Sequence, residues 1–110
     1  MSVSFLQPTR QPPAVVLSQE PEDATRRDRP VRVLLLNDDF TPAEYVVNVL
    51  EQEFGLGAGK AAWIMLKAHV TGRAVVGHYP RKEADAKVQA AQQRAQADGW
   101  PLQFSTEDDD

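Results

Sequence analysis

Three polar residues in a row, Asn37-Asp38-Asp39, and two histidines, His69 and His78, are the side chains of this chain whose types suit site chemistry. Neighbouring carboxylates and imidazoles could hold a metal, move a proton or pair with a cation. A metal set can be drawn from Asp38, Asp39, His69 and His78, but no short-spaced ligand motif of the His-Glu-x-x-His kind supports it, and there is no Cys. Nucleophilic catalysis needs a nucleophile beside a base, and the only serines are Ser2, Ser4, Ser18 and Ser105, in or near the ends of the chain. The expectation is therefore a protein that is not an enzyme and carries no metal and no cofactor. Each residue also has an ordinary reading. Asn and Asp form turns, His69 alone would be a half-buried, satisfied imidazole, and Met65 alone would be core.

The combination is more informative than its parts. The polar turn lies between an aliphatic run and a helix start, where side chains project toward a rim. Met65 and His69 fall one turn apart on a single helix face. An apolar floor with an acidic and imidazole rim suits a ligand that has one greasy group and one cation. A free protein N-terminus with a large apolar first residue fits, since an α-amino group with a pKa of roughly 7.7 to 8.0 is mostly charged at neutral pH.

The elements that must position these residues can be read in order. Five of the eight prolines fall within residues 1–30, among Gln, Arg and acids with no apolar period, which predicts a flexible N-terminal extension. From Val31 to Leu36 the chain is nearly all aliphatic, as in a buried strand. Thr41-Pro42-Ala43-Glu44 reads as a capping box with Pro at the first helical position and Thr41 as the cap. Ala43, Val46, Val47, Leu50 and Phe54 then recur at helical spacing up to Gly55. A second helix is expected from about Ala58 to His69, closed by Gly72, with Ala61, Met65, Ala68 and His69 on one face. Arg73 to Tyr79 reads as a strand with a polar break at Gly77-His78, Arg81 to Asp98 as a surface helix, and Leu102 to Thr106 as a half-buried strand. The order β-α-α-β-α-β predicts an α+β, two-layer sandwich with helices on one face of a small antiparallel three-stranded sheet.

Composition narrows the function classes. At 110 residues there is room for one domain. Apolar runs such as Val33 to Leu36 are too short for a membrane span and Ala14 to Leu17 is too short for a secretion signal, so a cytoplasmic protein is expected. Cations and acids balance in residues 1–30, at four each, and again in residues 31–106, at eight each. The net charge of −4 thus sits in residues 107–110, read as a solvated acidic tail. No clustered basic face points to nucleic acid.

Asn37-Asp38-Asp39-Phe40-Thr41-Pro42 with Glu44, then Met65-Leu66-x-x-His69-x-x-Gly72, Ala84-Asp85-x-Lys87-Val88 and Pro101-Leu102, resemble the ClpS family over residues 31–106. The resemblance implies an adaptor that binds the N-terminal degron of a substrate protein and delivers it to the N-terminal domain of a ClpA-like (or ClpC-like) AAA+ unfoldase. It implies that Asn37, Asp38, Asp39 and His69 surround the α-amino group. Leu36, Thr41, Ala43, Val46, Met65, Ala68 and Leu102 would line the side-chain pocket, and Lys82, Glu83 and Lys87 would dock to the unfoldase, which also engages the N-terminal extension. The chain departs from the family pattern at Ala43, where a bulky Met gate is usual, at Ala68, often Val, and at Lys82, usually an acid. The first two departures predict a roomier pocket. The competing expectation is a non-enzymatic interaction domain of ribosomal-stalk-like topology with another ligand, which would have no need of the acidic turn and His69.

Overall fold

The computed structural model describes residues 29–109; the N-terminal extension expected over residues 1–30 lies almost wholly outside them. The aliphatic run forms strand β1 (Pro30–Leu36), followed by helix α1 (Ala43–Phe54), helix α2 (Ala58–Thr71), strand β2 (Arg73–Pro80), helix α3 (Arg81–Ala97) and strand β3 (Gln103–Asp108). β1 is the central strand, antiparallel to β2 on one side and to β3 on the other. Its alternation sends Val31, Val33 and Leu35 into the core with Val49, Leu50, Phe54, Ile64 and Val76, while Arg32 stays half-exposed. The three helices cover one face of the sheet, so the expected α+β sandwich and element order hold.

Two glycines close the helices that build the site. Gly55 (φ 68°) and Gly72 (φ 100°) adopt the left-handed conformation that ends α1 and α2, and their N–H groups donate to Glu51 and Ala68 carbonyls at 3.1 and 2.8 Å. The expected polar break at Gly77-His78 is a β-bulge: Val33 pairs with Gly77 but Leu34 with Val75, leaving Val76 as the extra residue. The bulge restores Tyr79 to the core side, where it meets Phe54 at a ring-centroid distance of 6.2 Å. Tyr45 ties α1 to α3, its hydroxyl donating to the Arg94 carbonyl at 3.3 Å and to the Asp98 carboxylate. Partial burial, and then that carboxylate, hold its phenol above the ordinary pKa.

Two expectations need correction. The residues read as a solvated acidic tail from 107 onward continue β3 through Asp108. Glu107 bridges Arg32 and Arg73, each at 3.3 Å, Arg81 pairs with Asp108, and His78 Nε2 lies 3.5 Å from Asp109. Arg32 on the adjacent β1, Arg73 and His78 on β2 beyond it, and Arg81 at the α3 start give these acids partners that the local sequence does not display. The capping box is the second correction. α1 begins at Ala43 with Pro42 as its N-cap and no side-chain cap bond, because Thr41 Oγ1 donates instead to Asp38 Oδ2 at 2.9 Å. A carboxylate only three residues back is a strong, charged acceptor, and it captures the hydroxyl.

Candidate functional site

The end of β1, the turn after it, the start of α1 and one face of α2 converge on a cleft of about 190 Å³. Its lining comprises Leu35, Leu36, Asn37, Asp38, Asp39, Thr41, Ala43, Val46, Met65, Ala68, His69 and Leu102. All eleven residues expected from the sequence at the α-amino group or in the side-chain pocket are therefore brought together. The one addition is Leu35. Strand alternation would put only one of Leu35 and Leu36 on a given face, yet the cleft opens at the strand end, where both border it. The signal available was the position of the pair at the close of the aliphatic run.

The turn is fixed at both ends. The Asn37 backbone N–H donates to the Gly72 carbonyl at 3.0 Å, so the end of α2 anchors the start of the turn. Asp38 then locks the rest of the turn: its Oδ1 accepts from the N–H groups of Phe40 and Thr41 at 2.8 and 2.7 Å, and its Oδ2 from the Thr41 hydroxyl. This is an Asx-type turn, in which a side-chain carboxylate takes over backbone donors. Asn37, Asp39 and His69 are exposed at the cleft, while Val46 and Ala68 are buried behind it. Asp38 thus shapes the turn that presents its two neighbours. Replacing Asp38 with Ala should lower stability by about 1 kcal/mol, the order of a net hydrogen bond, because water can reach these exposed and part-buried donors, and Asn, which keeps one acceptor oxygen, should lose less. Urea unfolding of the two variants reads the difference.

The lining holds two carboxylates and an imidazole but no Lys or Arg, so the rim favours a cation over an anion. Below the rim the walls are Leu35, Leu36, Val46, Met65, Ala68 and Leu102, all apolar. The volume is under the roughly 300 Å³ at which pockets for drug-sized ligands begin, and matches a single side chain better. Among the described residues no group of three or more His, Cys, Asp and Glu is arranged to hold a metal, and no helix is long and apolar enough to cross a membrane.

Lys82, Glu83 and Lys87 lie elsewhere, on the first turns of α3, and none of them lines the cleft. Lys82 and Glu83 are exposed, and Lys87 is half-buried, with Nζ 3.8 Å from Glu83 and 5.5 Å from the centre of the Tyr79 ring. They form one surface, separate from the site.

Comparisons with known proteins identify the family. Residues 26–105 match the model of a family described as ATP-dependent Clp protease adaptor protein ClpS. An adapter protein of that name from Desulfatibacillum aliphaticivorans is 43% identical over 88 residues, covering 80% of this chain and 85% of its own. Its counterpart from Deinococcus radiodurans is 47% identical over 83 residues, covering 76% and 74%. The solved structure of Agrobacterium tumefaciens ClpS2 bound to L-phenylalaninamide is similar with a TM-score of 0.72 at 37% identity, over 76% of this chain and 100% of that one.

Proposed function

The chain belongs to the ClpS family of Clp protease adaptor proteins, and from that premise we propose that its cleft binds the free α-amino group and the large apolar side chain of a substrate's first residue. The observation that carries this reading is the cleft's division into a cation-favouring rim and an apolar interior sized for one side chain. Asn37, Asp39 and His69 would surround the ammonium, with Asp38 holding the turn and adding its charge. Leu36, Thr41, Ala43, Val46, Met65, Ala68 and Leu102 would enclose the side chain. L-Phenylalaninamide, the ligand of the A. tumefaciens relative, unites an α-amino group with a benzyl side chain, which supports the same division of labour.

Delivery is the second half of the proposal. The partner would be the N-terminal domain of a ClpA-like or ClpC-like unfoldase, met by Lys82, Glu83 and Lys87. Because these residues stand apart from the cleft, an adaptor could hold its substrate and its unfoldase at once. The test is a titration with peptides that differ only in their first residue. Phe, Tyr, Trp and Leu peptides should bind and Gly, Ser or Asp peptides should not; indifference to the first residue would refute the pocket. A chain lacking residues 1–28 should bind these peptides unchanged yet fail to support degradation by the cognate unfoldase and protease. Degradation at the full rate would remove the N-terminal segment from delivery.

A further inference from the structure

The outward face of α2 is apolar where a solvent-facing helix would ordinarily be polar. Trp63, Leu66 and Val70, spaced three and four residues apart, share that face and are 63%, 48% and 72% exposed. They stand opposite Ala61, Ile64 and Ala68, which are buried against the sheet. Single exposed apolar residues are ordinary, but a contiguous stripe that includes Trp marks a contact surface. The stripe starts at the cleft, since Leu66 and Val70 directly follow the cleft residues Met65 and His69 in the helix. It is edged by Lys60 and Lys67, and α2 contains no acid. The outward positions of α1, the other helix at the cleft, are polar: Glu44, Asn48 and Gln52 are all exposed.

We propose that this face of α2 receives the residues that follow a bound N-terminal residue, so that the protein selects its substrates by apolar side chains at positions two to four as well as by position one. The proposal rests on the pocket reading of the cleft and extends it along the substrate. A chain leaving the cleft past His69 meets the stripe at once. Leu66 lies about 4.5 Å and Trp63 about 9 Å along the helix axis from His69, at a rise of about 1.5 Å per residue. An extended chain advances about 3.3 Å per residue, so positions two to four span that distance. Over the outward positions of α1 the same residues would meet Glu44, Asn48 and Gln52 and no apolar stripe, the exposed Phe40 standing alone in the turn before that helix. The lysines beside Trp63 add a preference for an acid near position four or five.

Two dye-labelled peptides, both starting with Phe, test this on the full chain: one with Leu-Val-Leu and one with Gly-Ser-Gly at positions two to four. By fluorescence anisotropy the apolar peptide should bind roughly tenfold more tightly, the effect of removing part of an apolar side chain or two from water. Trp63→Ala, at an exposed position, should cut that advantage to within about twofold and leave the Gly-Ser-Gly peptide unaffected, because the pocket is untouched. Equal affinities on the unaltered protein, or an advantage that survives Trp63→Ala, would overturn the proposal while leaving the pocket standing. Failure of both peptides would bring down the pocket and the proposal together. If Trp63→Ala instead dissolves a dimer or tightens binding of the Gly-Ser-Gly peptide, a second copy or the chain's own N-terminal segment covers the stripe, and the proposal falls.

Discussion

Acetylating the α-amino group of a Phe-initiated peptide is expected to weaken binding by about 30- to 1,000-fold, the equivalent of roughly 2 to 4 kcal/mol. The expectation comes from the rim. Asp38 and Asp39 supply negative charge there, Asn37 and His69 supply acceptors, and no Lys or Arg lines the cleft to take over as counter-charge. A charged hydrogen bond contributes about 1.5 to 3 kcal/mol, and more than one is lost when the ammonium becomes an amide. The lower bound allows for the exposure of Asn37, Asp39 and His69, which lets water reoccupy part of the rim. The acetyl group also adds bulk at the point where the turn, fixed by Asp38 and by the Asn37–Gly72 bond, cannot easily retreat. A second route removes the charge without adding bulk. Above a pH of roughly 8 the α-amino group loses its proton, so affinity should fall about tenfold per further pH unit for the free peptide. The acetylated peptide should show no such fall. Isothermal titration of the two peptides across that range decides the matter, and equal affinities would mean that the rim does not read a cation.

Much of this arrangement was legible in the sequence because its signals are local. The aliphatic run of β1, the glycines that stop α1 and α2, and the Met65-to-His69 spacing each depend on a few neighbouring residues. Membership of the cleft came residue by residue from the family resemblance that those local motifs carry. What escaped depends on partners remote in sequence or on competition between acceptors. Glu107 belongs to β3 because Arg32, 75 residues earlier, lies on the adjacent strand; by composition alone it looks like a solvated tail. Thr41 has a preferred cap residue's side chain, yet its hydroxyl and N–H both go to Asp38, and no propensity for helix capping shows which acceptor wins. The Val76 bulge is invisible to a period-two reading, which would have turned Tyr79 away from Phe54. The outward stripe of α2 was written in Trp63, Leu66 and Val70 but became conspicuous only when the buried face was known.

Substituting Met for Ala43 is expected to increase discrimination between Leu and the β-branched first residues Ile and Val by about 10- to 200-fold. Ala43 opens α1 at the mouth of the cleft, one turn before the buried Val46, and both line it. The family resemblance sets a Met there. Ala lacks that residue's Cγ, sulfur and terminal methyl, so the space they would occupy stays open beside the ligand's Cβ. A branch at that carbon is what a Met would crowd, whereas Leu branches one carbon further in. Ala68, 2% exposed, contributes a second small side chain to the lining from α2, where Val would narrow the interior further. The two together should give a cleft that admits Ile and Val with less penalty and that Leu would fill less completely than Phe or Trp. Dispersion contacts fall off steeply with a gap of even half an ångström or so, so aromatic first residues should bind more tightly than Leu on the unaltered protein. Met is a good helix former, and position 43 is exposed, so the substitution should leave the fold intact. Peptides starting with Leu, Phe, Trp, Ile and Val, titrated against the protein and against Ala43→Met, measure both effects. On the variant the Leu-to-Ile ratio should rise and Ile and Val should lose most. An unchanged ratio would mean that residue 43 does not face the ligand's Cβ and that the side chain enters the cleft from another direction.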